Sequence, residues 1–277
     1  MKIVEVKRHY IWIPYKPPVD PYWGWQAPSH GAHAVVIEVL TDEGITGLGE
    51  TAGRETVEHH AEVAKLVISK DPRRITELIA ELKFQGCRPA AISGIEMALW
   101  DIVGKIAGLP LYQLLGGKVR ERVSLCGLMG VKTPKDSAET AKMYYETYGF
   151  QTIKTKAGRD ITEDEKIAIA LHDAVGEKVK LRFDANQNYS PEDVAKLISG
   201  AYKEVNLEYF EQPCDEDMLA EMARLRSDFG VPIALNESVS DASSVFNIAR
   251  MGAADYLAPD IPTAGGILEI VRIAAVA

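Results

Sequence analysis

Cysteine is scarce in this chain of 277 residues: Cys87, Cys126 and Cys214 make an odd count with no paired spacing and no zinc-like cluster. That excludes a disulfide scaffold and suits small buried thiols in a reducing compartment. No positive excess exists either, because the net charge is −9, so neither nucleic acid nor an anionic membrane is expected as a partner. Met1-Lys2-Ile3-Val4 opens no signal peptide, and no apolar run is long enough to span a bilayer. A cytoplasmic protein is the resulting expectation. There is no Walker loop, no low-complexity segment and no dinucleotide fingerprint; Gly265-Gly266 after Pro259-Asp260 is too brief a turn for one. Histidine is absent from the last third: His9, His30, His33, His59, His60 and His172 are the full set.

What is present is a periodic series of carboxylates. Asp184, Glu211 and Glu237 each end an apolar segment, 27 and 26 residues apart, which is the length of a strand-plus-helix unit. Another such segment, 28 residues before Asp184, ends in Lys154-Thr155-Lys156. In a closed barrel of parallel strands all C-terminal strand ends converge on one mouth. Three acids and two lysines are therefore expected around one small volume. Three crowded carboxylates repel unless a hard cation neutralises them, and oxygen-only ligands suit Mg²⁺. On a strand, Lys154 and Lys156 point to the same face.

The chain divides in character near residue 117. Met1 to Ile13 reads as a strand and Tyr15 to His33 as a loop rich in proline, glycine and aromatics. Ala34 to Leu40 and Ile45 to Glu50 pair across the turn Thr41-Asp42-Glu43-Gly44. Helices are predicted from about Arg54 to Lys70, Arg74 to Phe84 and Pro89 to Ala107, so residues 1–117 form an α+β domain. From Val123 strands and helices alternate, with strands predicted at Val123–Gly127, Thr152–Lys156, Lys180–Asp184, Leu207–Glu211, Ile233–Asn236 and Tyr256–Pro259. Intervening helices include Glu163 to Val175 and Pro191 to Ala201, the second started by Ser190 as N-cap and Pro191 at the first position. This alternation gives residues 118–277 a parallel sheet covered by helices. Six units are visible where a closed barrel has eight. The chain stops in the apolar stretch Ile267 to Ala277 without a capping signal, so a fragment of a longer enzyme is expected.

These residues resemble the enolase superfamily, and within it the mandelate racemase branch. The likeness runs through Ala98-Leu99-Trp100-Asp101, Gly104-Lys105, Pro110-Leu111, Leu114-Leu115-Gly116-Gly117, Ile153-Lys154-Thr155-Lys156, Asp184-Ala185-Asn186, Glu211-Gln212-Pro213 and Asn236-Glu237-Ser238. The resemblance implies an α/β fold with an α+β capping domain over a (β/α)₇β barrel. It also implies abstraction of the proton α to a carboxylate held on Mg²⁺, through an enediolate. By the same likeness Lys156 is the base, and Lys154 touches the substrate carboxylate and lowers the base's pKa by like-charge repulsion. Asp184, Glu211 and Glu237 are the implied metal ligands, and Asn186 contacts substrate or a bound water. Some branches use the position of Asn236 for the third ligand, but the racemase-like branch uses that of Glu237.

Asp260 matches the Asp that orients a histidine from the next strand as a second acid/base, although no histidine of this chain fills that place. Branches that cyclise muconate or epimerise dipeptides would place a lysine there. Dehydration of an acid sugar is the first expectation, with racemisation or epimerisation of an α-hydroxy acid beside it. Muconate-type cycloisomerisation or amino-acid epimerisation, and a catalytically incomplete pseudo-enzyme, are the alternatives. The partners expected are a small carboxylate and further copies of the chain. In this family a loop such as Tyr15–His33 closes over the barrel mouth, but no role follows for His30 and His33, nor for Glu50 and Arg54.

Overall fold

Val35, Ile37 and Val39 alternate with more exposed neighbours, and that two-residue period puts all three on one buried face of a strand. A computed structural model describes residues 1–24, 27–53, 57–130 and 132–277. In it β1 (Ile3–Pro14) pairs antiparallel with the strand carrying those residues. Between them a small hairpin is made of β2 (Tyr22–Gly24) and β3 (Ala27–Ser29). The central strand is β4 (Gly31–Thr41), and β5 (Thr46–Ala52) completes the sheet. Three helices follow, α1 (Val57–Val67), α2 (Ile75–Phe84) and α3 (Pro89–Ala107), then the short α4 (Leu111–Leu114). Ile92, Ile95 and Leu99 of α3 are fully buried against Val35, Ile37 and Val39. A Cβ at Gly47 would lie 2.1 Å from the Ala98 carbonyl oxygen and one at Gly49 2.0 Å from that of Gly94. Only glycine lets α3 lie this close to β5.

The second part alternates strand and helix: β6 (Gly127–Leu128), α5 (Pro134–Tyr148), β7 (Thr152–Lys156), α6 (Ile161–Val175), β8 (Lys180–Asp184), α7 (Pro191–Ser199), β9 (Leu207–Glu211), α8 (Leu219–Phe229), β10 (Ile233–Leu235), α9 (Ala242–Met251) and β11 (Tyr256–Leu257). The short α10 (Ile261–Ala264) and α11 (Ile267–Val276) end it. The six strands pair in sequence order, all parallel, as strand–helix alternation requires. Their outer faces bury Ile153, Leu181, Phe183, Phe210 and Ile233 under the helices, each contributing about 1.5–3 kcal/mol. One hydrophobic cluster draws on residues from Ile3 to Ile102 and the other on residues from Met129 to Ile273. Among the described residues no helix is long and apolar enough to cross a membrane.

Several elements match their sequence reading, including Pro89–Ala107, Thr152–Lys156, Lys180–Asp184 and Leu207–Glu211. Ser190 caps α7, accepting from the Asp193 N–H with Pro191 at the first turn. Others differ. The strand expected at Val123–Gly127 is only Gly127–Leu128, because Val123 and Leu125 stand exposed with nothing to cover them. Asn236 leaves the ladder of β10 because the Gln212 side chain takes its N–H at 3.0 Å. His33 lies on β4 opposite Trp12, not in a loop, and the segment before it holds a hairpin. Trp25, Arg54 and the start of the helix expected from Arg54 lie outside the described residues.

Candidate active site at the C-terminal strand ends

Strand register brings the expected residues together. Lys156 of β7 stands beside Asp184 of β8, and Asp184 beside Glu211 of β9. The second pairing depends on an irregularity that nothing in the sequence announces. Leu181 faces Leu207, but Arg182 faces Tyr209, so Glu208 is an extra residue in β9. Without this bulge Phe210 would stand beside Asp184, and the Glu211 carboxylate would turn to the helix side. Glu208 is itself held by Arg182, with Nε 2.6 Å from its Oε2.

The side chains interlock. Lys154 Nζ lies 2.6 Å from Glu211 Oε1 and 3.1 Å from Asp184 Oδ2, bridging the two acids. Lys156 Nζ donates to Asp184 Oδ2 and to Asn186 Oδ1, both at 2.6 Å. Asn186 in turn donates through Nδ2 to Glu237 Oε1 at 2.9 Å, which ties β8 to the segment after β10. With relative exposures of 5 % for Lys156, 2 % for Asp184 and 3 % for Glu211, these are interior groups and not surface charges. The Tyr22 ring, from the cap hairpin, lies 4.6 Å from Lys156 Nζ. All of them line a cavity of about 530 Å³ together with Arg182, Tyr209, Asn236 and Asp260.

The backbone is bent to serve this site. Asn186, Gln187 and Gln212 have φ of 44°, 70° and 35°, the left-handed region that non-glycine residues rarely enter. Gln212 is fully buried and acts as a staple between strand ends. Its Oε1 accepts from the Asn236 and Ser238 N–H groups, and its Nε2 donates to Ser238 Oγ and the Cys214 carbonyl. Tyr22, Arg182 and Gln212 carried no assignment in the sequence; only the Gln212 type within Glu211-Gln212-Pro213 signalled anything.

Burial alone would lower both lysines, but the charge of Asp184, with Glu211 beside Lys154, outweighs it and holds them above the ordinary lysine value. The expected lowering of Lys156 by its lysine neighbour is therefore not what this arrangement gives: the nearest charge to Lys156 is a carboxylate. Burial would raise Asp184, yet the two ammonium groups hold it below the usual range. Glu211 is pushed up by burial and then by the Asp184 charge, and Glu237 is pushed up by burial.

Among the described residues no three His, Cys, Asp or Glu side chains stand close enough to make a ready-formed metal cluster. The lysine ammonium groups sit among the acids in that role of counter-charge. The donor set nevertheless fits a hard cation. Glu211 Oε2 and Glu237 Oε2 are buried without a protein partner, and every donor is oxygen.

Asp260 lines the cavity and is exposed, and its side chain does not cap α10. Among the described residues no histidine lines this cavity. His33 instead packs on Trp12 at 4.7 Å and faces an adjoining cavity of about 680 Å³, which shares Tyr22, Asp260 and Thr263 with the first. His30 pairs with Asp20 at 2.8 Å.

Residues 17–116 match the family profile "Mandelate racemase / muconate lactonizing enzyme, N-terminal domain", and residues 136–277 match "Enolase C-terminal domain-like". The chain is 32% identical over 264 residues to arabinonate dehydratase of Saccharolobus solfataricus, covering 88% of the chain and 69% of that protein. It is also 32% identical, over 252 residues, to hydrophobic dipeptide epimerase of Enterococcus faecalis, covering 87% of the chain and 70% of that protein. The solved structure of dipeptide epimerase from Enterococcus faecalis V583, complexed with Mg and the dipeptide L-Leu-L-Tyr, aligns with a TM-score of 0.91 at 29% identity, covering 100% of this chain and 79% of that one.

Proposed function

Because this chain belongs to the mandelate racemase / muconate lactonizing enzyme family of the enolase superfamily, we propose that it removes the α-proton of a small carboxylate in a Mg²⁺-dependent reaction. The observation that carries this reading is the side-by-side register of Lys156, Asp184 and Glu211 at one cavity. Asp184, Glu211 and Glu237 would hold the cation. When bound, Mg²⁺ would supply a fixed positive charge that holds the substrate carboxylate and offsets the second charge created by proton removal.

In this reading Lys156 Nζ takes the α-proton, and it does so from its neutral form. Asp184 is the chief support of the protonated form, so neutralising that carboxylate frees the amine to act. Lys154 holds the substrate carboxylate, and Asn186 keeps Lys156 and Glu237 in place. Asp260 lines the same cavity, and in this reading it would orient the second acid that helps the β-hydroxyl of a substrate leave. We place dehydration of an acid sugar first. Its product, after loss of water and tautomerisation, is an α-keto acid. The polar lining, with Asn236, Asp260 and Thr263, supports a polyhydroxylated substrate. Epimerisation is the second reading, favoured by the aromatic adjoining cavity of Trp12, Tyr15, Tyr22 and His33, which suits apolar side chains.

A panel of aldonic and aldaric acids and hydrophobic dipeptides, incubated with Mg²⁺ in D₂O, tests both. Formation of α-keto acid supports dehydration, and deuterium at the α-carbon without it supports epimerisation. Neither signal from any member would sink the reading.

A further inference from the structure

Asp164 is a buried carboxylate, 1 % exposed, in the first turn of α6, and helix α6 has no need of it. Asp160 already caps that helix, accepting from the Glu163 N–H at 2.9 Å. Asp164 Oδ2 instead accepts from the Gly158 N–H at 2.8 Å and from the Tyr189 hydroxyl. Gly158 lies two residues beyond Lys156, and Tyr189 three beyond Asn186. One oxygen therefore joins the loop leaving β7 to the loop leaving β8.

The same two loops touch directly. Gly158 has φ of +91°, and a Cβ there would lie 2.6 Å from the Ala185 carbonyl oxygen and 2.9 Å from Asn188 Cβ. The Ala157 N–H reaches the Asp184 carbonyl at 2.8 Å. Tyr189 extends the link to a third loop, since its N–H donates to the Pro213 carbonyl at 3.1 Å, just past Glu211. Burying a carboxylate is unfavourable unless its oxygens are bonded, and Asp164 Oδ1 has no protein partner. A core position filled for packing alone would not hold such a group.

We propose that Asp164 is a positioning residue: it holds the strand ends carrying Lys156 and Asp184–Asn186 in fixed relation, through Gly158 and Tyr189. The inference rests on the proton-abstraction reading for its consequence in catalysis, but not for the coupling itself. Removing the carboxylate lets the two loops move independently, and Lys156 loses its alignment with the substrate α-carbon.

Hydrogen exchange of the unliganded parent, Asp164→Ala, Asp164→Asn and Tyr189→Phe tests the coupling without substrate. In Asp164→Ala, amides 157–160 and 185–190 are expected to exchange roughly tenfold faster together, while α11 keeps its parent rate. Asp164→Asn retains an acceptor for both bonds and is expected within about threefold of the parent. Tyr189→Phe removes one hydroxyl only and is expected to loosen both loops by a smaller factor, which keeps the test open if the alanine variant fails to fold. Loosening confined to one loop in either variant would overturn the proposal.

The catalytic arm measures, with Mg²⁺ in D₂O, α-proton exchange of the member of that panel on which the parent is most active. Asp164→Ala is expected to lower kcat about tenfold or more with KM within about twofold, and Asp164→Asn to restore most of it. Parent kcat in Asp164→Ala would overturn the positioning role. If the parent itself exchanges no proton on any acid of the panel, the functional reading fails instead, and the coupled exchange of the two loops alone decides for or against Asp164 as their link.

Discussion

Glu211 Oε1 lies 2.6 Å from Lys154 Nζ, while the other oxygen of the same carboxylate is buried without a protein partner. One oxygen of Glu211 is thus taken by an ammonium group, and on the proposed reading the second would face the Mg²⁺. Loss of even an outer partner of a metal ligand typically lowers affinity 10–100-fold, and loss of a ligand should do at least as much. Titrating Mg²⁺ calorimetrically into Glu211→Gln is expected to show affinity weaker by about tenfold or more. Unchanged affinity would remove Glu211 from the metal site.

On the proposed reading, the proton transfer depends on Lys156. Lys156→Ala is expected to abolish α-deuterium incorporation on one face of the substrate while Mg²⁺ still binds. NMR of substrate recovered from D₂O checks this directly. Exchange at the parent rate on that face would assign the base elsewhere. Positioned proton transfer commonly contributes about 10²–10⁴-fold, so a loss of at least that size is the expected result.

Gln212 joins the ends of β9 and β10 with both ends of its amide. In Gln212→Ala the part-buried Asn236 and Ser238 N–H groups lose that acceptor. Each unsatisfied group costs about 1–3 kcal/mol, so urea unfolding is expected to show a loss of about 3 kcal/mol or more. Weaker Mg²⁺ binding should accompany it, because Glu211 and Glu237 flank the stapled segment. A variant with parent stability would mean that water replaces the amide without loss.

Much of this arrangement is legible in the sequence because it is local or periodic. In Thr152–Lys156 and Lys180–Asp184 the charged Lys154, Lys156, Arg182 and Asp184 alternate with Thr155, Leu181 and Phe183, and the strands follow from that two-residue pattern. Three features escape it. The bulge at Glu208 depends on the neighbouring strand, and it decides which way Glu211 points. The left-handed backbone at Asn186 and Gln212 is imposed by side-chain bonds to distant segments, in residue types that do not announce it. Tyr22 reaches Lys156 only because Pro18 and Val19 dock on Gly130, where a Cβ would meet the Val19 carbonyl oxygen at 2.0 Å. Contacts between segments more than 100 residues apart leave no periodic trace. The opposite error arises at Val123 and Leu125, where an apolar alternation has no partner strand.

Glu96 links the cap to the last helix and gives the clearest dependence on pH away from the site. It is fully buried on α3 and accepts from the Ile267 and Leu268 N–H groups at the start of α11, at 2.7 and 2.8 Å, and from Trp100 Nε1 at 2.8 Å. A carboxylate suits a helix N-terminus, but burial prevails and pushes Glu96 above its ordinary value of 4.5. The folded chain therefore binds this proton more tightly than the unfolded chain. Its contribution to stability is complete below pH 4.5 and is lost as pH rises through the folded pKa. Urea unfolding at a series of pH values is expected to show a more negative slope above pH 4.5 for the parent than for Glu96→Gln, which cannot ionise. Glu96→Ala should lose about 3 kcal/mol at any pH, since three donors are left unpaired. Parallel pH profiles for the parent and Glu96→Gln would show that Glu96 keeps an ordinary carboxyl pKa despite its burial.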